Sequence, residues 1–505
     1  MNRPSLFLVC ILMIPAVVRA ELGDADDIRQ RVASLTTGLV KIPSVTGDER
    51  AVAEYLTEYA RNQGLTVQRL DTPEGRPNVL ISRRPLPSSG PNFMMLGHLD
   101  VVPVAGQSWT RPPWSGDVID GELWGRGAVD NKGSLAIAIV GLEEYVRRHG
   151  TEGGPNITVL AVSGEEHDGI GAVYVAKHHL EMINPTMILG EGGAGIHGVV
   201  PGHDDVAFFG VASAEKSSLW LKVSLKISEN GHGAVPAGDT SVLALVRALN
   251  RLSNEPFKVE FTDDVRAMLR SLARLERWPT NMLMRNPSWP LVKRTIERML
   301  SGNPLTNAMI RNTATITEVG SDPGPPNVIP EKAWATLDCR LLPGQNEEEF
   351  MGLLNSRLKE PRATIEVIEV KPNVLGSSEH PFMEVINNTL EELYPGSIAA
   401  PIVFPASSDS NSFRGRGVPS FGVIPMVLDQ KYLKSIHAAD ERIPIAGMPG
   451  AVEAVIGLID AAARKVREHP ELIGKVQPHQ LLLHPGGHKQ NGPCCMGFLG
   501  SFLAP

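Results

Sequence analysis

Apolar and polar residues alternate along this chain in three rhythms. From about Asp27 to Val211, apolar runs such as Asn92-Phe93-Met94-Met95-Leu96-Gly97, Ile157-Thr158-Val159-Leu160-Ala161-Val162-Ser163 and Met187-Ile188-Leu189 alternate with helical stretches such as Gly133 to Arg148. Continuous apolar strands between helices predict a largely parallel sheet covered on both faces. The rhythm returns after about residue 371. There the spacing predicts a helix from Pro381 to Leu393, strands near Ile402 and from Pro419 to Ile424, and a closing helix from Gly447 to Val466.

The middle of the chain differs. Leu219, Leu221, Val223, Leu225 and Ile227 alternate with mostly polar residues, as in a strand with one face in water. A helix from Ser241 to Leu252, strands at 312–319 and 332–342, a helix at 347–358 and a strand at 363–370 follow. The order β-α-β-β-α-β is that of a ferredoxin-like α+β unit. The expected organisation is therefore a leader at 1–20, an α/β domain in two parts at 21–212 and 371–467, an inserted domain at 213–370, and a flexible tail at 468–505. Within the insert, the segment from Asn254 to Arg311 is rich in Met, Leu, Trp and Pro. It reads as extra helical cover or as a wall along a substrate path, and composition alone favours cover.

A chain of 505 residues is too long for one core, which agrees with this division. The net charge of -8, without a long basic run, argues against nucleic acid as a partner. Arg3, the apolar run from Leu6 to Val18, and Val18-Arg19-Ala20 read as a secretory signal cleaved after Ala20, with a retained anchor as the alternative. The protein is thus expected to be secreted or periplasmic. Beyond Cys10 in the leader, only Cys339 and the adjacent Cys494-Cys495 remain, which is not a disulfide framework. In the tail, His479, His484, His488 and the cysteine pair are compatible with a metal-binding tract, but a plain appendage is the expectation.

The chemistry sits where the predicted strands end. One run stops at His98-Leu99-Asp100, the next at Gly164-Glu165-Glu166, and the third at Gly190-Glu191. Asp130 precedes a helix, and His437 lies far downstream. Ligands of open α/β sheets bind beyond the carboxyl ends of the strands. Two histidines and several carboxylates gathered there point to a metal site holding two ions. A histidine in a strand is more often a satisfied core residue, but Gly97 and Asp100 beside His98 shift that balance. Adjacent Glu165 and Glu166 at the end of an apolar strand repel and lose solvation unless a cation offsets them.

The segments Gly97-His98-Leu99-Asp100-Val101-Val102-Pro103, Trp124-Gly125-Arg126-Gly127-Ala128-Val129-Asp130-Asn131-Lys132-Gly133 and Gly164-Glu165-Glu166 resemble the dinuclear zinc aminoacylase/carboxypeptidase family, especially carboxypeptidase S and secreted N-acyl amino acid hydrolases. Asn303-Pro304-Leu305-Thr306-Asn307-Ala308 and Asn327-Val328-Ile329-Pro330 are similar to that group's inserted domain, and the resemblance runs from about residue 30 to 465. It implies a zinc-peptidase-like catalytic domain carrying a ferredoxin-like lid. It also implies two divalent ions, zinc by family habit with cobalt or manganese compatible, and hydrolysis of an amide in N-acyl amino acids or C-terminal peptides.

The same resemblance implies roles. Asp130 would bridge the ions, with His98 and Glu191 completing one shell and Glu166 and His437 the other. Asp100 would support His98, and Glu165 would be the general base toward a bridging water. The Asp130-Asn131 bond matches a position where the family often has a cis peptide. His232 would stabilise the oxyanion, reaching across a homodimer built through the inserted domain; Asn327 would touch substrate; Arg340 would hold its carboxylate. One departure stands out: near relatives place a ligating Asp where this chain has Gly190, so either Glu191 substitutes, the favoured reading, which requires the chain to have left its strand by Gly190, or one ion is weakened. The rival readings are a small-substrate deacylase of the desuccinylase type and a peptide-binding protein with an impaired metal site.

Overall fold

The structure is a computed structural model that describes residues 16–474, apart from 201, 229–230, 236–237 and 372–373. Residues 1–15 of the expected leader, and the tail histidines and Cys494-Cys495, lie outside the described residues. Two sheets dominate. Their strands, in chain order, are β1 (Thr66–Arg69), β2 (Val79–Ser82), β3 (Asn92–His98), β4 (Asn156–Val162), β5 (Met187–Ile196) and β6 (Phe208–Glu215). They continue with β7 (Ser217–Lys226), β8 (Thr313–Ser321), β9 (Lys332–Leu341), β10 (Ala363–Val370), β11 (Ile398–Phe404) and β12 (Ser420–Val427).

The large sheet has the order β1-β2-β4-β3-β5-β12-β6-β11. Its centre, from β4 through β3 and β5 to β12, is parallel, and β6 pairs in parallel with β11 at one edge. All seven residues of β3 and all seven of β4 are buried, as expected for strands covered on both faces. The helices Lys132–His149 and Met448–Glu468 pack in the core that includes Phe93, Met95 and Val159. The fold is thus mixed α/β, with a large, mostly parallel sheet and separate antiparallel sheets.

The second sheet is antiparallel, in the order β8-β9-β7-β10. The helices Ser241–Asn254 and Glu347–Leu358 cover one of its faces, burying Ala244, Leu245, Phe350 and Leu354 against Leu219, Leu221, Val223 and Leu225. Thr240 and Asn346 cap these helices through their side chains, so each begins where the sequence predicts.

Two features depart from the reading of the sequence. The strand that was to end at Leu189 runs on to Ile196, through the glycine-rich Gly190-Glu191-Gly192-Gly193. A Cβ at Gly193 would collide with the Gly210 carbonyl, so glycine here permits close strand approach. The segment 254–311, inserted in sequence between elements of the second sheet, packs instead on the large one. Its helices Asp263–Leu272, Thr280–Arg285, Pro290–Ser301 and Pro304–Met309 cover the edge strand β11 and its neighbour β6. In Pro290–Ser301, Val292, Ile296 and Leu300 recur every four residues and are buried against that edge, while Lys293, Arg294 and Arg298 face water. Full burial of such a side chain contributes about 1.5–3 kcal/mol.

Candidate metal centre

Two groups of three ligand-type side chains meet at the carboxyl ends of β3 and β4 and beside the middle of β5. His98, Asp130 and Glu191 form one, and Asp130, Glu166 and His437 the other, each with its ligand atoms within 4.8 Å of one another. Asp130 belongs to both and divides its oxygens between them. Oδ1 lies 3.0 Å from His98 Nε2, and Oδ2 lies 3.2 Å from His437 Nε2. Glu191 Oε2 is 3.4 Å from His98 Nε2, and Glu166 Oε2 is 3.0 Å from His437 Nε2.

The electrostatics suit cations. Burial alone would lower the His98 pKa, but Glu191 and Asp130 outweigh it and push it well up. Hydrogen bonds to Asp130 and Glu166 raise His437 to about 10. Burial opposes ionisation of Asp130, yet the two imidazoles hold its carboxyl below the usual range. Burial, then repulsion from Glu191, raises the Glu165 carboxyl. Glu166 Oε1 is buried with no hydrogen-bond partner. That orphaned oxygen fits a divalent cation in the triad of Asp130, Glu166 and His437, and the donor set of the other triad is of the same kind.

The supports around the triads are backbone-directed. Asp100 accepts from the backbone N–H groups of Gly164, Glu165 and Glu166 at 3.0, 3.1 and 3.2 Å, and from the Thr46 hydroxyl at 2.7 Å. It therefore fixes the loop that carries both glutamates. The closest Asp100 atom to His98 Nδ1 is its backbone carbonyl, at 2.9 Å, with the carboxylate farther away at 3.7 Å. The Asp130-Asn131 peptide is cis.

Two supporting residues escaped the sequence reading. Asn131 donates through Nδ2 to Glu191 Oε2 at 3.0 Å and accepts from the His98 N–H at 3.3 Å, so it aims both members of one triad. Glu441 accepts from the N–H groups of Gly127, Val129 and Asp130 and from Arg126, which fixes the loop bearing the shared aspartate. Its signal was weak: an acidic residue four positions after His437. His437 itself sits at φ 60°, a left-handed conformation that is uncommon outside glycine. Its carbonyl accepts from Gln107 Nε2 at 2.8 Å.

Glu191 reaches its triad from within a strand. Successive side chains of β5 point to opposite faces. A Cβ at Gly190 would point instead at Ser410 Oγ, 2.6 Å away. The expectation that the chain leaves its strand at Gly190 is therefore corrected: the strand persists, and its alternation delivers position 191 to the site.

The triads floor one end of a cavity of about 960 Å³, at the upper end of small-molecule sites. Asp130, Glu165, Glu166, Glu191 and His437 line that end. The remainder is apolar, walled by Phe208, Ile402 and Phe404 and, from the insertion, by Met268, Met284, Val292, Ile296 and Leu300. The insertion is thus both cover and wall. Arg340 and Lys371 also line the cavity. Asp338 already engages the Arg340 fork at 2.7 and 3.1 Å, and Ser218 Oγ accepts from it at 2.6 Å. Lys371 has no ion-pair partner among the described residues. His232 and Asn327 are not brought to the cavity; both are exposed and lie together on the second sheet's domain, Nε2 to Nδ2 at 3.1 Å.

Two triads sharing one aspartate, in a mixed α/β fold, define a metallohydrolase of amide bonds. The chain belongs to Peptidase family M20/M25/M40, which matches residues 94–461. It is 28% identical over 384 residues to the human N-fatty-acyl-amino acid synthase/hydrolase PM20D1, covering 73% of this chain and 74% of the relative. It is 27% identical to the probable carboxypeptidase S-like 2 of Dictyostelium discoideum, covering 73% and 71%. In fold it is similar to the M20 family metallo-carboxypeptidase Sso-CP2 of Sulfolobus solfataricus, with a TM-score of 0.62, 17% identity, and coverage of 85% and 98%. The family and the two triads together support two divalent metals. Among the described residues, no helix is long and apolar enough to cross a membrane.

Proposed function

We propose that this protein is an exported hydrolase of N-acyl amino acids whose acyl group is a long aliphatic chain. The observation that carries this reading is the cavity. It joins a floor of carboxylates and imidazoles to an apolar chamber far larger than an acetyl or succinyl group needs. That disfavours the small-substrate deacylase, and the reach of Glu191 to His98 disfavours an impaired binding protein. The name of the human relative supports a fatty acyl group, and that of the Dictyostelium relative keeps C-terminal peptides as the second substrate class.

His98 and Glu191 would hold one ion, Glu166 and His437 the other, and Asp130 both; zinc is the expected metal, with cobalt or manganese compatible. Bound ions would polarise the amide carbonyl and acidify a water. Glu165, whose carboxyl is raised by burial and by Glu191, would take a proton from the attacking water and pass it to the leaving nitrogen. Asp100, Asn131 and Glu441 keep the acting side chains aimed. Arg340, with part of its charge committed to Asp338, shares the substrate carboxylate with Lys371. His232 and Asn327, outside their own chain's cavity, would serve the site of a second copy in a homodimer. In this reading residues 21–212 and 371–467 are the catalytic domain, 213–370 the lid and 468–505 an appendage, with 1–20 as the export signal.

The test is a substrate panel on native and chelator-treated enzyme. N-acyl amino acids of increasing chain length should be cleaved progressively better, by up to about fourfold per methylene. Chelation should abolish activity, and zinc, cobalt or manganese should restore it. Full activity in metal-stripped protein, or preference for peptides at every acyl length, would sink the reading.

A further inference from the structure

We infer that the outer face of the helical insertion docks on an anionic lipid surface and presents the mouth of the cavity to it. The inference rests on the proposed long-chain substrate only for its purpose; the surface itself stands on independent observations. Five large apolar side chains of this one segment are exposed: Trp278 at 76%, Trp289 at 48%, Leu305 at 44%, Met299 at 39% and Met282 at 37%. Two of them, Met299 and Leu305, also line the cavity, so the apolar chamber is continuous with the apolar surface. Trp278 and Met282 flank Thr280 and Leu283, which line it too. Large apolar side chains are exposed on other elements too, but both tryptophans and both methionines among them lie on this segment, and an apolar surface that opens into an apolar cavity marks an interaction site.

The charge of the same segment names the partner. Across 254–311 stand ten basic residues and six acidic ones, a net positive stretch in a chain whose net charge is -8. Arg270, Arg277, Arg285, Lys293, Arg294 and Arg298 are exposed, and none is in an ion pair among the described residues. Trp278 and Trp289 stand in the turns that precede the helices Thr280–Arg285 and Pro290–Ser301, beside exposed arginine and lysine, and aromatic and basic side chains together suit a lipid interface. The basic residues would meet anionic headgroups while Trp278 and Trp289 enter the acyl boundary. A substrate with a long acyl chain partitions into such a layer, and an apolar mouth held there receives the chain without carrying it through water.

The test is flotation of the full chain with vesicles of phosphatidylcholine alone and of equal parts phosphatidylcholine and phosphatidylglycerol. Binding to the anionic vesicles, and its weakening by salt, is the expected result. The triple variant Arg285→Gln, Lys293→Gln, Arg294→Gln should lower partition by about fivefold per residue, roughly a hundredfold in all. The double variant Trp278→Ser, Trp289→Ser should lose binding while Trp278→Phe, Trp289→Phe retains it, which separates a lost surface from a lost fold. All these variants should hydrolyse a short, water-soluble N-acyl amino acid as the native enzyme does. If the native chain ignores anionic vesicles, or if the triple and serine variants bind as it does, the inference is overturned and the face belongs to another partner. Flotation needs no turnover. A chain that floats but cleaves no N-acyl amino acid refutes the proposed function alone, and one that cleaves but does not float refutes only this docking.

Discussion

At the floor of the cavity, nearly every acting side chain is held by another polar group, whereas the side chains that the insertion turns to the cavity belong to an apolar core. Asp130 is fixed at its backbone by Glu441, Glu191 at its carboxylate by Asn131, and the Glu165-Glu166 loop by Asp100. Met268, Ile296 and Leu300 are buried in the apolar core at that edge. The floor must place charge accurately before substrate arrives, because preorganised electrostatics act only where donors and acceptors do not have to move. The wall need only exclude water and offer volume. A substitution of one atom should therefore cripple the floor, while the wall should respond to volume and shift preference among substrates.

The largest expected effect lies at the floor. Glu165→Gln keeps shape and size but removes the proton acceptor, so turnover should fall by about 10²–10⁴-fold. Metal analysis should still find two ions per chain, because neither triad contains Glu165. Near-normal turnover, or loss of metal in step with activity, would show that Glu165 is not the base.

Glu191→Ala should come next. It removes one arm of the His98 triad and should lower both the occupancy of that ion and activity, by more than the 10–100-fold that outer partners of a ligand typically cost. Gly190→Asp sharpens the contrast. Its new side chain would start 2.6 Å from Ser410 Oγ, on the face away from His98, so it should not rescue Glu191→Ala and should itself disturb the strand. Restoration of metal by the aspartate at 190 would mean that β5 presents the other face.

How much of this was legible in the sequence divides along the same line. Of the ligands, His98 and Glu166 could be read from the end of a predicted strand, beside glycine or a second acid, where burial without a cation makes no sense, whereas Asp130 and His437 stand in turns and Glu191 inside β5. Asn131 and Glu441 could not, because their work is on backbone N–H groups of neighbouring loops, and an acceptor for main-chain donors leaves no periodic trace. The persistence of β5 was hidden by its glycines, which weaken a strand pattern yet here allow close approach to Gly210. The insertion advertised its buried stripe through Val292, Ile296 and Leu300, but an amphipathic pattern says that a face is covered and not what covers it. Nothing local indicated that a segment threaded through one sheet's domain would pack on the edge of the other.

A smaller effect is expected at the wall. Ile296 is 4% exposed and lines the cavity, so Ile296→Trp should shorten the chamber and cost about 1–3 kcal/mol of stability through overpacking. Each methylene denied a place loses about 0.8 kcal/mol, or roughly fourfold. The preference for long acyl chains should therefore flatten, while rates on the shortest substrates hold. A uniform loss at every chain length would mean that the wall and the floor are one rigid unit and that the contrast between them is wrong.

The smallest expected effect tests Arg340 and Lys371, which also line the cavity. A charge-assisted hydrogen bond contributes roughly 1.5–3 kcal/mol, about tenfold or more in kcat/KM. Arg340 gives two of its donors to Asp338 and another to Ser218, so its charge is partly neutralised before any substrate binds. Lys371 is not so engaged, and its flexible ammonium can follow a carboxylate that enters with different side chains. Arg340→Ala should therefore do two things: weaken substrates with a free α-carboxylate more than their amides, and release Asp338 as an unpaired negative charge that repels the carboxylate further. Lys371→Met should produce the first effect without the second. The double variant Arg340→Ala, Asp338→Asn should then recover part of what Arg340→Ala loses, toward the level of Lys371→Met. Equal losses on acid and amide for both single variants would mark the pair as structural supports of the sheet junction, and the carboxylate would have to be held elsewhere in the cavity.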